Sequence, residues 1–289
     1  MIPSLTVPDW VKRNIVSFND INEIPEAVFA RIREGLSIKK AEDAFVTIGV
    51  IAYNEQNTIL SCLASLSEQK TSFPLRIVIS NNNSTDQTQY LLDKCGAFSV
   101  FETKKGTGYA RQAAMDVGKG KYFLCADADC MYPPTWASEF AKALEKPGIS
   151  AVYSVDSYIP TTKNRVALAV YEIFRDFSLF LRRINRPELN VGGGSFGIPL
   201  ELGREIGWHT RIKRGEDGSM AFALKDYGKI AYLNSSRSRI WTTTRSLDDK
   251  GTLISMVLDK LRKEIKRVHI YFLSEKKGYR DKEDNTIKD

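Results

Sequence analysis

The first half of the chain alternates short apolar runs with segments in which apolar residues recur every three or four positions. Phe45-Val-Thr-Ile-Gly-Val-Ile-Ala52 is β-branched and nearly all apolar, as expected of a strand covered on both faces. It breaks at Tyr53-Asn54-Glu55, and helical spacing resumes at Ile59, Leu63 and Leu66. A second apolar strand is predicted over Leu75–Ile79, and the polar turn Asn81-Asn-Asn-Ser-Thr-Asp86 leads into a helix carrying Tyr90 and Leu91. A third strand fits Phe98–Glu102, a helix fits Gly108–Val117, and a fourth strand fits Tyr122–Cys125, ending at Asp127-Ala-Asp129. Repeated β-α units of this length imply an α/β fold with a mostly parallel sheet and helices on both faces. Such sheets bind ligands at the carboxyl ends of their strands, where the polar clusters 53–55, 81–86 and 127–129 all fall.

Beyond about residue 150 the pattern is less regular. Val166, Val170, Ile173, Phe177, Phe180 and Ile184 recur at alternating steps of four and three, a long amphipathic helix. The glycine-rich segment Gly192-Gly-Gly-Ser-Phe-Gly197 follows, then a turn at Gly215-Glu-Asp-Gly218 and a helix over Ser219–Asp226. Near the end, Ile254, Leu258, Leu261, Ile265, Val268 and Phe272 repeat the same steps, with Lys260, Lys263, Lys266 and Arg267 mostly off that stripe. At the other end, Ala27, Val28, Ile32 and Leu36 mark one helix among prolines at 3, 8 and 25. The expected organisation is an N-terminal helical extension over 1–43, a central α/β domain over 44–250, and an amphipathic basic helix and tail over 251–289.

Composition narrows the picture. A chain of 289 residues, 43% hydrophobic and 10% aromatic, buries a full core, which excludes disorder and a disulfide-stapled miniprotein. The longest charge-free stretches, Gln56–Ser67 and Leu189–Leu200, have twelve residues each. A spanning helix needs roughly 18 to 20 apolar residues, so none is expected. The amino terminus lacks a basic region followed by an apolar one, and a cytoplasmic location is expected. Cysteines at 62, 95, 125 and 130 form no C-x-x-C pair, and two histidines do not make a zinc framework, so free thiols are expected. The net charge of +7 is concentrated in the last third and favours anionic partners. Nucleic acid is not expected among them, because the basic residues do not interleave with stacking aromatics and acidic clusters sit where a ligand would bind.

Asp127 and Asp129 bracket a small residue just after an apolar strand, so both carboxylates can turn toward the pocket and share a divalent cation with a diphosphate. As a bare tripeptide, Asp-x-Asp fits turn capping equally well. Gly192–Gly194 with Ser195 lacks the order of a phosphate loop, and Gly106-x-Gly108 lacks the third glycine of a dinucleotide fingerprint.

Five ordered elements together resemble the inverting family 2 glycosyltransferases of GT-A fold over roughly residues 45–245. They are Ile51-Ala-Tyr-Asn-Glu55, Asn81-Asn-Asn-Ser-Thr-Asp86, Gly108-Tyr-Ala-Arg111-Gln112, Asp127-Ala-Asp129 and Gly215-Glu-Asp217. The resemblance implies a mostly parallel nucleotide-binding sheet merged with a smaller, mixed acceptor-binding half. It also implies transfer of a hexosyl or N-acetylhexosaminyl group from a nucleoside diphosphate sugar, with UDP favoured, to a hydroxyl of a glycan or lipid-linked acceptor, as in polysaccharide biosynthesis. A sugar nucleotidyltransferase would need a Gly-rich basic loop after the first strand, which Ala52-Tyr-Asn-Glu-Gln56 does not supply; a catalytically silent GT-A binding module is the other alternative.

Carried over residue by residue, the resemblance places Ala52, Tyr53, Glu55, Asn82, Arg111 and Asp127 at the nucleotide sugar, with helix initiation at Asn54-Glu55 as the competing reading. Where relatives often carry aspartates this chain has Asn81 and Asn82, which weakens strict uracil preference. Asp86 is assigned to capping the next helix. Asp129 is expected to ligate Mn²⁺ or Mg²⁺, and Asp217 to take the acceptor's proton, with helix capping as its alternative. Arg237, Arg239 and Thr242–Arg245 lie where relatives close a loop over the diphosphate, and Arg245 is the chosen phosphate ligand. Gly193, Gly194, Trp208, His209 and Glu216 are expected on the acceptor side. The basic face of 254–272 suits peripheral contact with an anionic membrane, at its inner face, and packing back on the domain is the alternative.

Overall fold

The computed structural model describes residues 3–161 and 164–248 together with Arg262, so the stripe over 254–272 lies outside the described residues. Helices α1 (Asp9–Lys12) and α2 (Glu26–Ser37) precede β1 (Val46–Ala52), α3 (Ile59–Ser67), β2 (Leu75–Asn81), α4 (Thr88–Lys94), β3 (Ser99–Phe101), α5 (Thr107–Asp116) and β4 (Tyr122–Asp127). A less regular half follows: β5 (Cys130–Met131), α6 (Trp136–Leu144), β6 (Ile149–Tyr153), β7 (Asp156–Tyr158), α7 (Arg165–Asn185), β8 (Ser195–Pro199), α8 (Leu200–Ile206), α9 (Glu216–Leu224), β9 (Lys229–Tyr232), β10 (Ile240–Thr242) and α10 (Arg245–Asp248). Among the described residues, no helix is long and apolar enough to cross a membrane.

The main sheet runs β3-β2-β1-β4-β8-β6-β9. Strands β1 to β4 are parallel, as the β-α alternation predicts, while β8 enters antiparallel between β4 and β6. A small second sheet, β5-β10-β7, stands beside it. Val46, Ile48 and Val50 of β1 pack on one face with α2, α3 and α6. Phe123, Phe196 and Ile198 pack on the other with α5, α8 and α9. Gly49 lies under the Phe123 ring, where a Cβ would sit 2.2 Å from a ring carbon, so the sheet can bury that phenyl only over a glycine.

Two segments differ from the simplest expectation. The N-terminal α2 is built into the main core through Phe29, Ile32 and Leu36, because its apolar face covers α3. Helix α7 forms as the spacing predicts, but its apolar stripe points outward, with Phe177 61% exposed. Its inward face is ionic: fully buried Glu172 accepts from Arg165 Nη1 at 2.7 Å, Ser157 Oγ at 2.8 Å and the Tyr158 amide at 2.8 Å. Arg239 reaches the same cluster, donating to Asp176 Oδ2 at 2.7 Å and Ser157 Oγ at 2.7 Å. These pairs are buried between α7 and the small sheet, where a charge left without its partner would be costly, and that fixes which face turns in.

Candidate active site

The carboxyl ends of β1, β2 and β4 meet at one cleft of about 340 Å³. It lies between β1, whose connection leads to β2, and β4, whose connection leads the other way along the sheet to β6, the usual ligand position in open α/β sheets. Ala52, Tyr53, Glu55, Asn82, Arg111, Asp127, Asp129, Gly193, Glu216 and Asp217 all line it. Of the remaining residues named from the sequence, Arg245 reaches it through Glu55 and Asp129. Gly194 lies directly behind Asp127. Trp208 is packed into the core between α5 and α9, 5% exposed, with Arg111 lying over its ring. His209 contributes its backbone: a Cβ at Gly108 would lie 2.4 Å from the His209 carbonyl oxygen, so that glycine lets α5 approach the 209–210 strap.

Two loops are knotted together at the first rim. Asn54, in the left-handed region at φ 53°, accepts from the Thr85 amide at 2.8 Å, and the Asn54 amide donates to Ser84 Oγ. Asp86 accepts from the Thr88 amide and hydroxyl and from the Gln56 amide, as its capping assignment requires. Tyr53 is left on the rim, 47% exposed, with the Lys105 ammonium over its ring. Asn82 is engaged at both ends of its amide. Its Nδ2 donates to the Lys104 carbonyl at 2.6 Å, and its Oδ1 accepts from the Gly106 amide at 2.8 Å. The side chain thus pins the loop that starts α5.

Arg111 is the centre of the cleft floor. Only 3% exposed, it donates from Nη2 to Asp127 Oδ1 at 2.8 Å and from Nε to Glu216 Oε1 at 3.3 Å, while Nη1 has no partner. Burial opposes its charge, yet Asp127, Glu216 and Asp217 around it outweigh that and raise its pKa. Gly193 exists for this guanidinium: a Cβ there would lie 2.0 Å from Nη2. At Gly194 a Cβ would lie 2.8 Å from Asp127 Oδ2.

Gly215, at φ 94°, turns the chain into α9 and sets Glu216 and Asp217 in its first turn. Asp217 Oδ2 accepts from the Gly193 amide at 2.8 Å and Oδ1 from the Gly218 amide at 2.7 Å. A carboxylate has about four lone-pair sites, so two remain for a ligand. Burial, then the neighbouring Glu216, pushes the Asp217 carboxyl above its ordinary range, against the pull of Arg111 and the two amides.

Asp127, Asp129 and Cys130 bring ligand atoms within 4.8 Å of one another. Burial, Asp127 and Glu55 push Asp129 up to about 6, against Arg245 and the Cys130 thiol. Burial and the two aspartates hold the Cys130 thiol protonated, so the donors on offer are carboxylate oxygens, which suit Mg²⁺ or Mn²⁺. Arg245, 58% exposed in its side chain, currently answers that negative charge, donating to Glu55 Oε1 at 2.6 Å, Glu55 Oε2 at 3.0 Å and Asp129 Oδ2 at 3.3 Å. Of the other arginines considered for the loop, Arg239 is spent in the ionic layer and Arg237 pairs with Glu139 at the surface.

Sequence reasoning did not single out Ile51, Thr107, Ala110 or Ala128, which also line the cleft. Thr107 carries a buried hydroxyl without a partner. Its place inside Gly106-x-Gly108, a segment set aside as an incomplete fingerprint, was the available signal. Tyr132 was also missed; its hydroxyl accepts from the Asp127 amide at 2.7 Å and donates to the Gly194 carbonyl at 3.0 Å, clamping the end of β4 to the glycine segment. The four cysteines are buried and free, as expected.

A parallel half carrying an acidic cleft, joined through antiparallel β8 to a mixed half, defines the GT-A class of α/β fold. The chain belongs to glycosyl transferase family 2, whose family profile matches residues 47–199. Among curated proteins it is 27% identical over 151 residues to the UDP-Glc:alpha-D-GlcNAc-diphosphoundecaprenol beta-1,3-glucosyltransferase WfaP of Escherichia coli, covering 51% of this chain and 54% of that protein. The chain spans between 12% and 54% of the length of the curated relatives it matches. Among solved structures, the mannosyltransferase of Pyrobaculum calidifontis in complex with GDP-Man and Mn²⁺ superposes with a TM-score of 0.53 at 21% identity, over 75% of this chain and 63% of that one. Glucosyl-3-phosphoglycerate synthase of Mycobacterium tuberculosis, in complex with Mn²⁺, UDP-glucose and phosphoglyceric acid, gives a TM-score of 0.53 at 17% identity over 86% of each chain. These likenesses establish the fold.

Proposed function

We propose that the protein is a metal-dependent inverting glycosyltransferase that moves a sugar from a nucleoside diphosphate sugar, with UDP favoured, to a hydroxyl of a glycan or lipid-linked acceptor. The observation that carries this is the meeting of Asp127, Asp129 and Asp217 in one cleft, from opposite halves of the fold. Asp127 and Asp129 would hold the cation, which when bound supplies positive charge to the departing diphosphate. Tyr53 offers a ring face at the rim for the base, and Arg111 fixes Asp127 through its 2.8 Å bond. Arg245, released from Glu55 and Asp129, turns to the phosphate oxygens. At the reacting centre, the acceptor oxygen bonds to the anomeric carbon as the bond to the diphosphate breaks on the opposite face. Asp217 takes the hydroxyl proton, and nucleoside diphosphate leaves. The finer terms, UDP and a lipid-linked acceptor, draw support from the E. coli relative, whose name carries both.

Calorimetric titration of UDP-, GDP- and dTDP-sugars with and without Mn²⁺ tests this directly, on the wild type and Asp129→Ala. Manganese-dependent binding of one donor, lost in Asp129→Ala, is expected; binding indifferent to both manganese and Asp129 overturns the metal assignment.

A further inference from the structure

The outward face of α7 is an apolar band. Val166, Val170, Ile173, Phe177, Phe180 and Ile184 are between 44% and 61% exposed, and the exposed positions of this helix include no charged side chain. A contiguous apolar strip of this kind marks an interaction surface. Steps of four and three are the seam that pairs one helix with another.

Two observations say what covers it. The sequence beyond the described residues repeats the seam: Ile254, Leu258, Leu261, Ile265, Val268 and Phe272 take the same steps in the same order over the same length. The chain also arrives at the right place. Leu247 of α10, 2% exposed, packs in one cluster with Leu168 of α7, Tyr158 and Tyr171. Residues 249–253 are then all that precede Ile254, and five extended residues reach at most roughly 17 Å. From that tether, a second seam can cover the whole band only by running in the same direction as α7.

We propose that residues 254–272 seat their apolar stripe on the outward face of α7 as a parallel, register-matched helix pair. Leu261 then faces Ile173, Ile265 faces Phe177, and Lys260, Lys263, Lys266 and Arg267 turn mostly to solvent.

Disulfide trapping in the full-length chain tests both pairing and direction; the native cysteines are buried and stay in place. Ile173→Cys with Leu261→Cys is the matched pair. Ile173→Cys with Val268→Cys is displaced by seven residues, about 10 Å along a helix, beyond the span a disulfide bridges. The matched pair is expected to close within one chain at least tenfold faster. Equal rates overturn the proposal, and links between two chains assign the band to a second copy instead. Hydrogen exchange on the protein without added cysteines gives an independent check. Amides of 254–272 are expected to be protected, and Phe177→Asp to lower that protection at least a hundredfold while β1, β2 and β4 exchange as before. Absent protection, or protection indifferent to Phe177→Asp, overturns the pairing. So does co-sedimentation of the wild type with phosphatidylglycerol vesicles that Phe177→Asp abolishes, which would make lipid the occupant.

Discussion

Three consecutive glycines face three different environments, and alanine at each should give a graded response. At Gly193 a Cβ would lie 2.0 Å from Arg111 Nη2 and 2.6 Å from its Cζ, whereas real Cβ atoms essentially never come within 3.0 Å of a neighbour. Arg111 cannot simply step aside, because it is 3% exposed and tied to Asp127 at 2.8 Å and Glu216 at 3.3 Å. If the loop retreats instead, the Gly193 amide leaves Asp217 Oδ2, now 2.8 Å away. Either movement loses a hydrogen bond to a charged group, worth about 1.5–3 kcal/mol. Expressed in the transition state, that is roughly 10- to 160-fold in kcat/KM. At Gly194 the conflict is with the tip of one carboxylate at 2.8 Å, and a loss below about tenfold is expected. At Gly192 nothing lies within 4 Å, and Gly192→Ala should keep the wild-type rate. The assay is steady-state release of nucleoside diphosphate with the donor identified by calorimetry, alongside thermal melting to show that each variant is folded. A Gly193→Ala protein with wild-type kcat/KM, or a Gly192→Ala protein as impaired as Gly193→Ala, would refute the account of Arg111 as a fixed element of the cleft.

Asp217→Asn should lower kcat by about 10²- to 10⁴-fold with donor binding retained, as calorimetry would show; unchanged turnover would remove Asp217 as the base. Because its carboxyl is lifted above the ordinary 3.8 and must be ionised to accept a proton, the rate should fall on the acid side at a higher pH than an unperturbed aspartate gives. Glu216→Gln removes a charge that raises this group, so the acid limb of the pH–rate profile should move to lower pH, and a limb that stays or rises contradicts the assignment. Arg245→Ala should raise the donor KM about tenfold while leaving the melting temperature nearly unchanged, since a pair 58% exposed on the arginine side contributes about 0–1 kcal/mol to stability. Glu172→Ala should cost about 3–5 kcal/mol in chemical denaturation by stranding Arg165 and Arg239, and a loss under about 1 kcal/mol would show the ionic layer to be incidental.

Much of this molecule is legible along the chain because its causes are local. An apolar β-branched run followed by helical spacing needs no distant partner to be read, and it gives β1, β2 and β4 to within one or two residues. Asp127 and Asp129 are two residues apart at a strand end, and Glu216-Asp217 sits beside a glycine, so each half of the cleft announces itself. Asp86 as a cap was readable for the same reason: its partner Thr88 is two positions away.

The rest depended on contacts between residues far apart in sequence. Asn82 fits a base contact by position, but it is committed to Lys104 and Gly106 by a loop that only folding brings to it. Trp208 was assigned to the acceptor side and lies in the core under Arg111, because α5 and α9 close around it. The seam of α7 could be read as a seam, yet its direction could not, since that was decided by Glu172 and Arg165 finding Ser157 and Arg239 in a layer assembled from three separate segments. Periodicity states that a helix has two faces. Which face turns inward is set by the partners that tertiary structure supplies, and here buried ion pairs hold the inner side while the apolar side is left for another surface.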